Sequence, residues 1–455
     1  MNSSPQVVVI GAGISGLSCA LRLKELGIAV RVLEAAKSPG GVISTVRENG
    51  FLFESGPQSF QLTRDLHELI RAAGLESEIL EADMHTPRYI LRNGKLLLAP
   101  MSPPSLLTSS LLSVGSKMRV FSEAFHRSQP SPTPDESLAD FVRRKFGTEI
   151  LEYLAGPFVS GVFAGDPEKL SVRSAFPSMA QWESEYGSVI RGAMKSRRSG
   201  ERVRLTLASL KEGMASLLQA VSAKLGDSLT TRAAVDSISR ANSSLWQIRY
   251  SHAGREEELQ SNALVIAAPA YEVAKLIAPL ASSPLTSALS GIPYAPAAVV
   301  AQAYRREHVG HPLNGFGFLI PRSSQLRTLG VIWNSSLFPG RCPQGMVLIT
   351  SFLGGATDPE LVARSEVQIA AQVQQDIGGI LQITHPPVAQ HVWRHTRALP
   401  QYNLGHAQRV AAIRSELANL PGIFIAGNYL DGPSLGNCVA QAFATAKSVH
   451  QFLSL

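Results

Sequence analysis

The chain opens with a four-residue apolar run, Val7-Val8-Val9-Ile10, rich in β-branched side chains. Such a run predicts a strand buried on both faces of a parallel sheet. The period then changes: Leu17, Ala20, Leu21, Leu23 and Leu26 recur at helical spacing, and Gly27 stops the pattern. A second apolar strand, Ala29-Val30-Arg31-Val32-Leu33, closes on Glu34. Near the other end, Ile423-Phe424-Ile425-Ala426-Gly427-Asn428 reads as a strand running into a turn, followed by a helix from about Asn437 to Phe452. Between these ends, Val265-Ile266-Ala267-Ala268-Pro269 predicts a strand ending at a crossover. Val299-Val300 and Met346-Val347-Leu348-Ile349-Thr350 predict a mixed sheet within about 271–392. Residues 98–212 have a helical pattern and carry Pro103-Pro104, the apolar set Leu106, Leu107, Leu111, Leu112, Met118 and Phe121, and the basic stretch Lys195-Ser196-Arg197-Arg198.

A chain of 455 residues exceeds what one hydrophobic core supports, so two or three domains are expected. With 45% apolar and 17% charged residues it belongs among globular chains. The 42 basic against 35 acidic residues leave a formal charge of +7, which favours anionic partners. No nucleic-acid-binding motif or long basic run accompanies that charge, so nucleic acid is set aside. Cys19, Cys342 and Cys438 stand far apart and form no CxxC pair, which excludes a disulfide framework and a cysteine zinc site and fits a reducing compartment. The 11 histidines show no HExxH spacing, so no metal is expected. No apolar run reaches the roughly 18 residues that a bilayer span needs. The first strand begins near Gln6, so no signal or transit peptide is expected. The expected location is the cytoplasm, or the cytoplasmic face of a membrane as a peripheral protein.

Between the first strand and the first helix lies Gly11-Ala12-Gly13-Ile14-Ser15-Gly16. In this motif the first glycine permits a tight turn, the second lets the backbone approach a pyrophosphate, and the third lets helix and strand pack closely. Free N–H groups at the helix start face the phosphates. Glu34, about 20 residues on, is placed to accept hydrogen bonds from ribose hydroxyls and to repel a 2′-phosphate. Past that acid come Ala35 and the pair Gly40-Gly41, and later Gly56-Pro57-Gln58-Ser59. A glycine pair in that position is the pattern of FAD-binding amine-oxidase-like flavoproteins. The C-terminal Gly432-Pro433-Ser434-Leu435-Gly436 agrees, because in that group a helix N-terminus stands beside the flavin ring.

Several internal segments narrow the likeness. They include Pro87-Arg88-Tyr89-Ile90, Pro157-Phe158-Val159-Ser160-Gly161-Val162-Phe163-Ala164-Gly165-Asp166-Pro167, Gly315-Phe316-Gly317-Phe318-Leu319, Phe352-Leu353-Gly354-Gly355 and Pro400-Gln401-Tyr402-Asn403-Leu404-Gly405-His406. With these, nearly the whole chain resembles the protoporphyrinogen IX oxidase family. The resemblance implies non-covalent FAD contacts at Gly11 to Gly16, Glu34, Ala35, Gly41 and Gly56 to Ser59. It implies further contacts at Val235, whose backbone would meet the adenine, at Trp393 near the isoalloxazine, and at Pro433, Ser434 and Leu435. Substrate contacts implied are Arg88, Gly161, Leu319, Ile332 and Phe352. Two positions depart from the pattern: Pro433-Ser434 replace a valine and a small residue, and Val42 replaces a basic residue common in the wider group.

The implied fold is α/β, with a discontinuous Rossmann-type FAD-binding domain over 1–86, 213–270 and 393–455. A mixed-sheet substrate domain would span 87–97 and 271–392, and a helical, membrane-associating domain 98–212. The implied reaction removes six electrons from a porphyrinogen in three two-electron rounds and reduces oxygen to hydrogen peroxide. Apolar Leu319, Ile332 and Phe352 would grip the macrocycle, with Phe352 stacking on a pyrrole. Arg88 would pair with a propionate, and the Gly161 carbonyl would accept a pyrrole N–H. No catalytic acid or base is assigned, since no triad or carboxylate pair is legible and the substrate is already electron-rich. Rival readings are a coproporphyrinogen III oxidase of the same family, an amine oxidase or carotenoid desaturase, which shares the nucleotide end but not the segments Gly161 to Pro167 and Gly315 to Leu319, and a non-enzymatic binding protein on the same fold. A homodimer and peripheral membrane contact are carried as expectations.

Overall fold

The computed structural model describes residues 5–125, 133, 135–198 and 206–454, apart from the side chains of Pro103, Arg197 and Arg198. The last two residues of the basic stretch therefore lie outside the described side chains. At the centre of a five-stranded parallel sheet runs the strand Val7–Ile10. Val30–Glu34 and then Leu229–Thr231 flank it on one side, Ala263–Ile266 and then Ile423–Ile425 on the other. Alternate residues of the apolar run serve two cores. Val7 and Val9 pack beneath the helices Ile14–Glu25 and Leu435–Leu453, while Val8 and Ile10 pack against the opposite layer. That double burial is why the strand carries no polar position. The opposite layer is a three-stranded antiparallel sheet, Ala233–Arg240, Trp246–His252 and Arg255–Ser261, together with the helices Ala270–Ile277, Ser283–Ser290 and His406–Leu417.

Three boundaries differ from the sequence reading. The helices of 270–290, expected in the substrate domain, bury Val273, Ile277, Leu285 and Leu289 against Val8, Ile10 and Leu264 of the nucleotide sheet. Strand Ala389–Pro400 pairs along Tyr294–Arg305 up to Pro400, so residues 393–400 belong to the substrate sheet. Strand Leu207–Leu210 pairs with Phe60–Gln61 and Ile79–Glu81 and buries Ala208 and Leu210 in the nucleotide core. In each case the segment joins the sheet face or edge that it pairs with or packs on, which composition along the chain does not reveal.

The substrate sheet has seven strands, in the order Ala389–Pro400, Tyr294–Arg305, Met346–Gly354, Thr328–Ile332, Gly317–Leu319, Arg88–Arg92, Lys95–Leu98. Its neighbours are antiparallel except where Gly317–Leu319 meets Arg88–Arg92. One face is closed by helix Glu366–Leu381, with Ile369, Val373 and Ile377 against Ala298, Val300, Phe318, Val331 and Leu353. Because side chains alternate along a strand, residues 299, 319, 330, 332 and 352 face the other way. Helices Pro103–Thr108, Val114–Glu123, Leu138–Lys145, Pro177–Tyr186 and Val189–Arg198 form the third region. Within it Thr148–Ile150 continues through one π turn, Leu151–Ala155, into Gly156–Phe163. The apolar set divides here: Leu111 and Leu112 are buried, while Leu107, Met118 and Phe121 are exposed. No helix among the described residues is long and apolar enough to cross a membrane.

Candidate active site

The glycines of the first turn do different work. Gly11 has φ 102°, and a Cβ there would stand 2.5 Å from the Ala267 carbonyl oxygen. At Gly16 a Cβ would stand 1.9 Å from the Gly11 carbonyl oxygen, so helix and turn touch through bare backbone. Gly13 caps the helix begun by Ile14 and Ser15, and nothing lies within 4 Å of the position its Cβ would take. Gly41 packs against it, its own Cβ position 3.7 Å from the Gly13 Cα. Two bare backbones thus border an open slot at a helix N-terminus, which suits a pyrophosphate. Glu34 frames the slot by accepting from the Ala12 N–H at 2.6 Å and the Ala36 N–H at 2.8 Å. Its remaining lone pairs are free for ribose hydroxyls. Val235 sits where the register of its strand shifts, at a bulge that displaces the local backbone.

A second group of elements converges beside this slot. Gly56 presses on the Val42 carbonyl, where a Cβ would come within 2.8 Å, and Pro57 and Ser59 flank Gln58 half-buried. The Gln58 side chain is spent within the protein. It donates to the Gly56 carbonyl at 2.9 Å and accepts from Asn334 Nδ2 at 2.6 Å, tying this segment to the substrate sheet. Beneath it, Glu54 accepts from Met214 N–H at 2.8 Å and from Thr45 Oγ1 at 2.7 Å. Burial raises its pKa to about 7. The departure at Pro433-Ser434 has a local reason, since Ser434 is the cap of the C-terminal helix and accepts from the Asn437 N–H at 3.2 Å. That cap starts the helix at Leu435, two residues before the predicted start. Cys438, in the first turn, lies against Ser15, and burial pushes its thiol up to about 11. Two helix N-termini, headed by Gly13 and Ser434, therefore stand side by side and offer positive ends to one anionic or electron-rich ligand.

Strand pairing assembles the rest. Trp393 opposes Val299, which opposes Phe352, which opposes Gly330, which opposes Leu319. Residues paired directly across strands share a face, so these form one row. In the adjacent row Thr350 opposes Ile332, Ile332 opposes Gly317, and Gly317 pairs with Arg88. Gly330 leaves the middle of the first row bare. The helical region closes over this face at Gly161, where a Cβ would stand 2.5 Å from Leu319 Cδ2. The N–H groups of Ala164 and Gly165, placed to cap the Gly161 carbonyl, both donate to Val159 instead. The Gly161 carbonyl is left as an open acceptor in the last turn of its helix.

Arg88 has no carboxylate within ion-pair reach among the described residues, and its guanidinium lies 5.0 Å from the centre of the Phe316 ring. The residue as a whole is exposed, yet its head group is crowded enough that desolvation lowers its pKa from the usual arginine value. Phe316, Phe158 and Val162 were not singled out from the sequence. The last two are exposed one turn apart, on the same side of the helix as Gly161, and that spacing was the available signal.

Comparison with known proteins agrees with this geometry. The flavin-containing amine oxidoreductase family matches residues 14–449. The chloroplastic protoporphyrinogen oxidase of Nicotiana tabacum is 35% identical over 98% of this chain and 86% of its own length. The coproporphyrinogen III oxidase of Bacillus subtilis (strain 168) is 28% identical over 98% of each chain. A crystal structure from Exiguobacterium sp. 255-15, provisionally named protoporphyrinogen oxidase, superposes with a TM-score of 0.84 at 26% identity over 100% of both chains. Reduced UDP-galactopyranose mutase, at 16% identity and a TM-score of 0.74, shares the fold. The cofactor is FAD, and the open space at Gly13, with Gly41 packed beside it and Glu34 bonded to the Ala12 N–H, fits the nucleotide half of that molecule. The chain belongs to the flavin-containing amine oxidoreductase family, and within it to the branch of the protoporphyrinogen oxidases.

Proposed function

We propose that this chain oxidises protoporphyrinogen IX to protoporphyrin IX, with three oxygen molecules converted to three hydrogen peroxides. The observation that supports it most is the pair of rows on the substrate sheet, which brings Trp393, Phe352, Leu319, Ile332 and Arg88 onto one face from five strands. FAD, when bound, would supply the hydride acceptor and the route by which the electrons reach oxygen. The protein holds the macrocycle and excludes water from it. Phe352, Leu319 and Ile332 form an apolar wall, Arg88 anchors a propionate, and the open Gly161 carbonyl accepts a pyrrole N–H. Holding that N–H fixes where the ring proton sits while the carbon is oxidised, and no strong base is required.

Relatives with two substrate names make the carboxylate count the deciding point. Arg92 shares the strand face of Arg88 but is already engaged, with its Nη1 2.9 Å from Glu149 Oε1. Arg88, without a carboxylate partner, suits a two-propionate substrate better than a four-carboxylate one. Anaerobic mixing with each porphyrinogen, followed by flavin bleaching, tests this. Faster bleaching by protoporphyrinogen IX is expected. A preference for coproporphyrinogen III transfers the reading to that substrate, and no bleaching by either overturns it.

We also propose that the helical region rests peripherally on anionic lipid. Leu107, Val114, Met118, Phe121 and Phe125 are exposed on it, and the chain carries a formal charge of +7. Co-sedimentation with vesicles containing anionic lipid is expected, and its persistence after Met118→Ser and Phe121→Ser would refute this surface.

A further inference from the structure

Arg88 and Arg92 point from the same face of one strand, separated by Ile90, but meet different surroundings. The Arg92 guanidinium donates to Glu149 Oε1 at 2.9 Å and to the Leu111 carbonyl, and it lies 4.3 Å from the centre of the Tyr153 ring. Glu149 in turn accepts from the Ser113 N–H at 2.9 Å and the Ser113 hydroxyl at 2.6 Å. Both side chains are largely covered, 24% and 17% exposed. Glu149 and Tyr153 belong to the short helix and π turn that run unbroken into Gly156–Phe163. From Tyr153 to Gly161 is about 12 Å of helix at 1.5 Å per residue, a short rigid lever. The π turn is crowded enough that Gly156 has no room for a side chain, its Cβ position being 2.8 Å from the Leu151 carbonyl oxygen. Such turns are uncommon inside helices and concentrate at functional sites.

We propose that Arg92 and Glu149 form a positioning latch, which sets the height of the Gly161 helix above the substrate face. The inference rests on the porphyrinogen reading, because it assigns the latch to the placement of the Gly161 carbonyl and of Leu319. Neither residue touches the substrate. Their effect passes through the π turn to a carbonyl that must meet a pyrrole N–H, and small displacements of such a group are costly. The Glu149 carboxylate is built to stay charged. Desolvation raises the Glu149 pKa, but hydrogen bonds from Ser113, Ser116 and Arg92 outweigh it and hold the carboxyl at about 2.

The test uses the FAD-loaded enzyme and the variants Arg92→Gln, Arg92→Lys and Glu149→Gln. Arg92→Gln is expected to keep full flavin content while kcat/KM for protoporphyrinogen IX falls roughly tenfold to a hundredfold. Arg92→Lys retains the ion pair and should recover most of that loss. Combined with Gly161→Ala, Arg92→Gln should be non-additive in kcat/KM, whereas changes in melting temperature add. Amide hydrogen exchange in Gly156–Phe163 should quicken in Arg92→Gln before substrate is added. Unchanged kinetics and unchanged exchange, with only a lower melting temperature, would reduce the pair to a structural tie and overturn the proposal. Should Arg92→Gln fail to fold, Glu149→Gln, which breaks the same ion pair from the other side, carries the same readouts. Should wild type oxidise no porphyrinogen, the functional reading falls, and hydrogen exchange still decides whether the latch holds the helix.

Discussion

In the nucleotide slot most of the decisive groups are bare backbone of one short turn, Gly11 to Gly16, whereas on the substrate face they are side chains brought by register from five strands. The slot depends on what is missing: Gly16 excludes a side chain by 1.9 Å against backbone, and Gly13 leaves an opening. The substrate face depends on what is present, a wall of Phe352, Leu319 and Ile332 with one free guanidinium at its edge. The first design fails abruptly when atoms are added. The second loses affinity in steps as atoms are removed.

The sharpest way to break that contrast is Gly13→Val. Since the position faces open space, the fold should survive, with circular dichroism unchanged and flavin occupancy close to nil. Folded protein with full flavin content would show that the slot does not hold the pyrophosphate. Next in size is Arg88→Ala on the substrate face. Loss of a hydrogen bond to a charged group costs about 1.5–3 kcal/mol, or roughly ten- to a hundredfold, and should appear mainly in the Michaelis constant because the propionate lies away from the reacting carbon. A porphyrinogen ester separates anchor from scaffold: wild type and variant should turn it over alike, while equal impairment on acid and ester would make Arg88 structural. Phe352→Ala should weaken substrate binding by about 1–3 kcal/mol, the worth of burying one large apolar side chain, with flavin content unchanged. Unaltered kinetics would return Phe352 to the ordinary core.

The smallest effect concerns Glu54, which lies where the two regions meet. Its folded pKa of about 7 stands above the ordinary carboxyl value near 4.3. The folded chain therefore keeps a proton that the unfolded chain releases. This contribution to stability is complete below about pH 4.3 and is lost as pH rises through about 7. Glu54→Gln should flatten that decline in denaturant midpoints measured between pH 5 and 8. An unchanged slope would place the carboxylate, ionised, inside the network of Thr45 and Met214.

Much of the nucleotide slot could be read directly because its rules are local. A buried parallel strand must be apolar throughout, a tight turn with φ near 102° favours glycine, and close helix packing forbids a Cβ, so Gly11, Gly13 and Gly16 mark the turn wherever the chain runs later. The family likeness supplied Arg88, Gly161, Leu319, Ile332 and Phe352 as candidates, but no periodicity links residues so far apart. Only pairing decided that they share one face, because the register of each strand turns alternate side chains toward or away from helix Glu366–Leu381. Tertiary structure also decided that the Gln58 side chain ties its segment to Gly56 and Asn334, and that Arg92 has a carboxylate partner while Arg88 has none among the described residues. The physical reason is common to all three. A side chain's partner is set by which surfaces the folded chain presses together, and sequence determines only which partners it could accept.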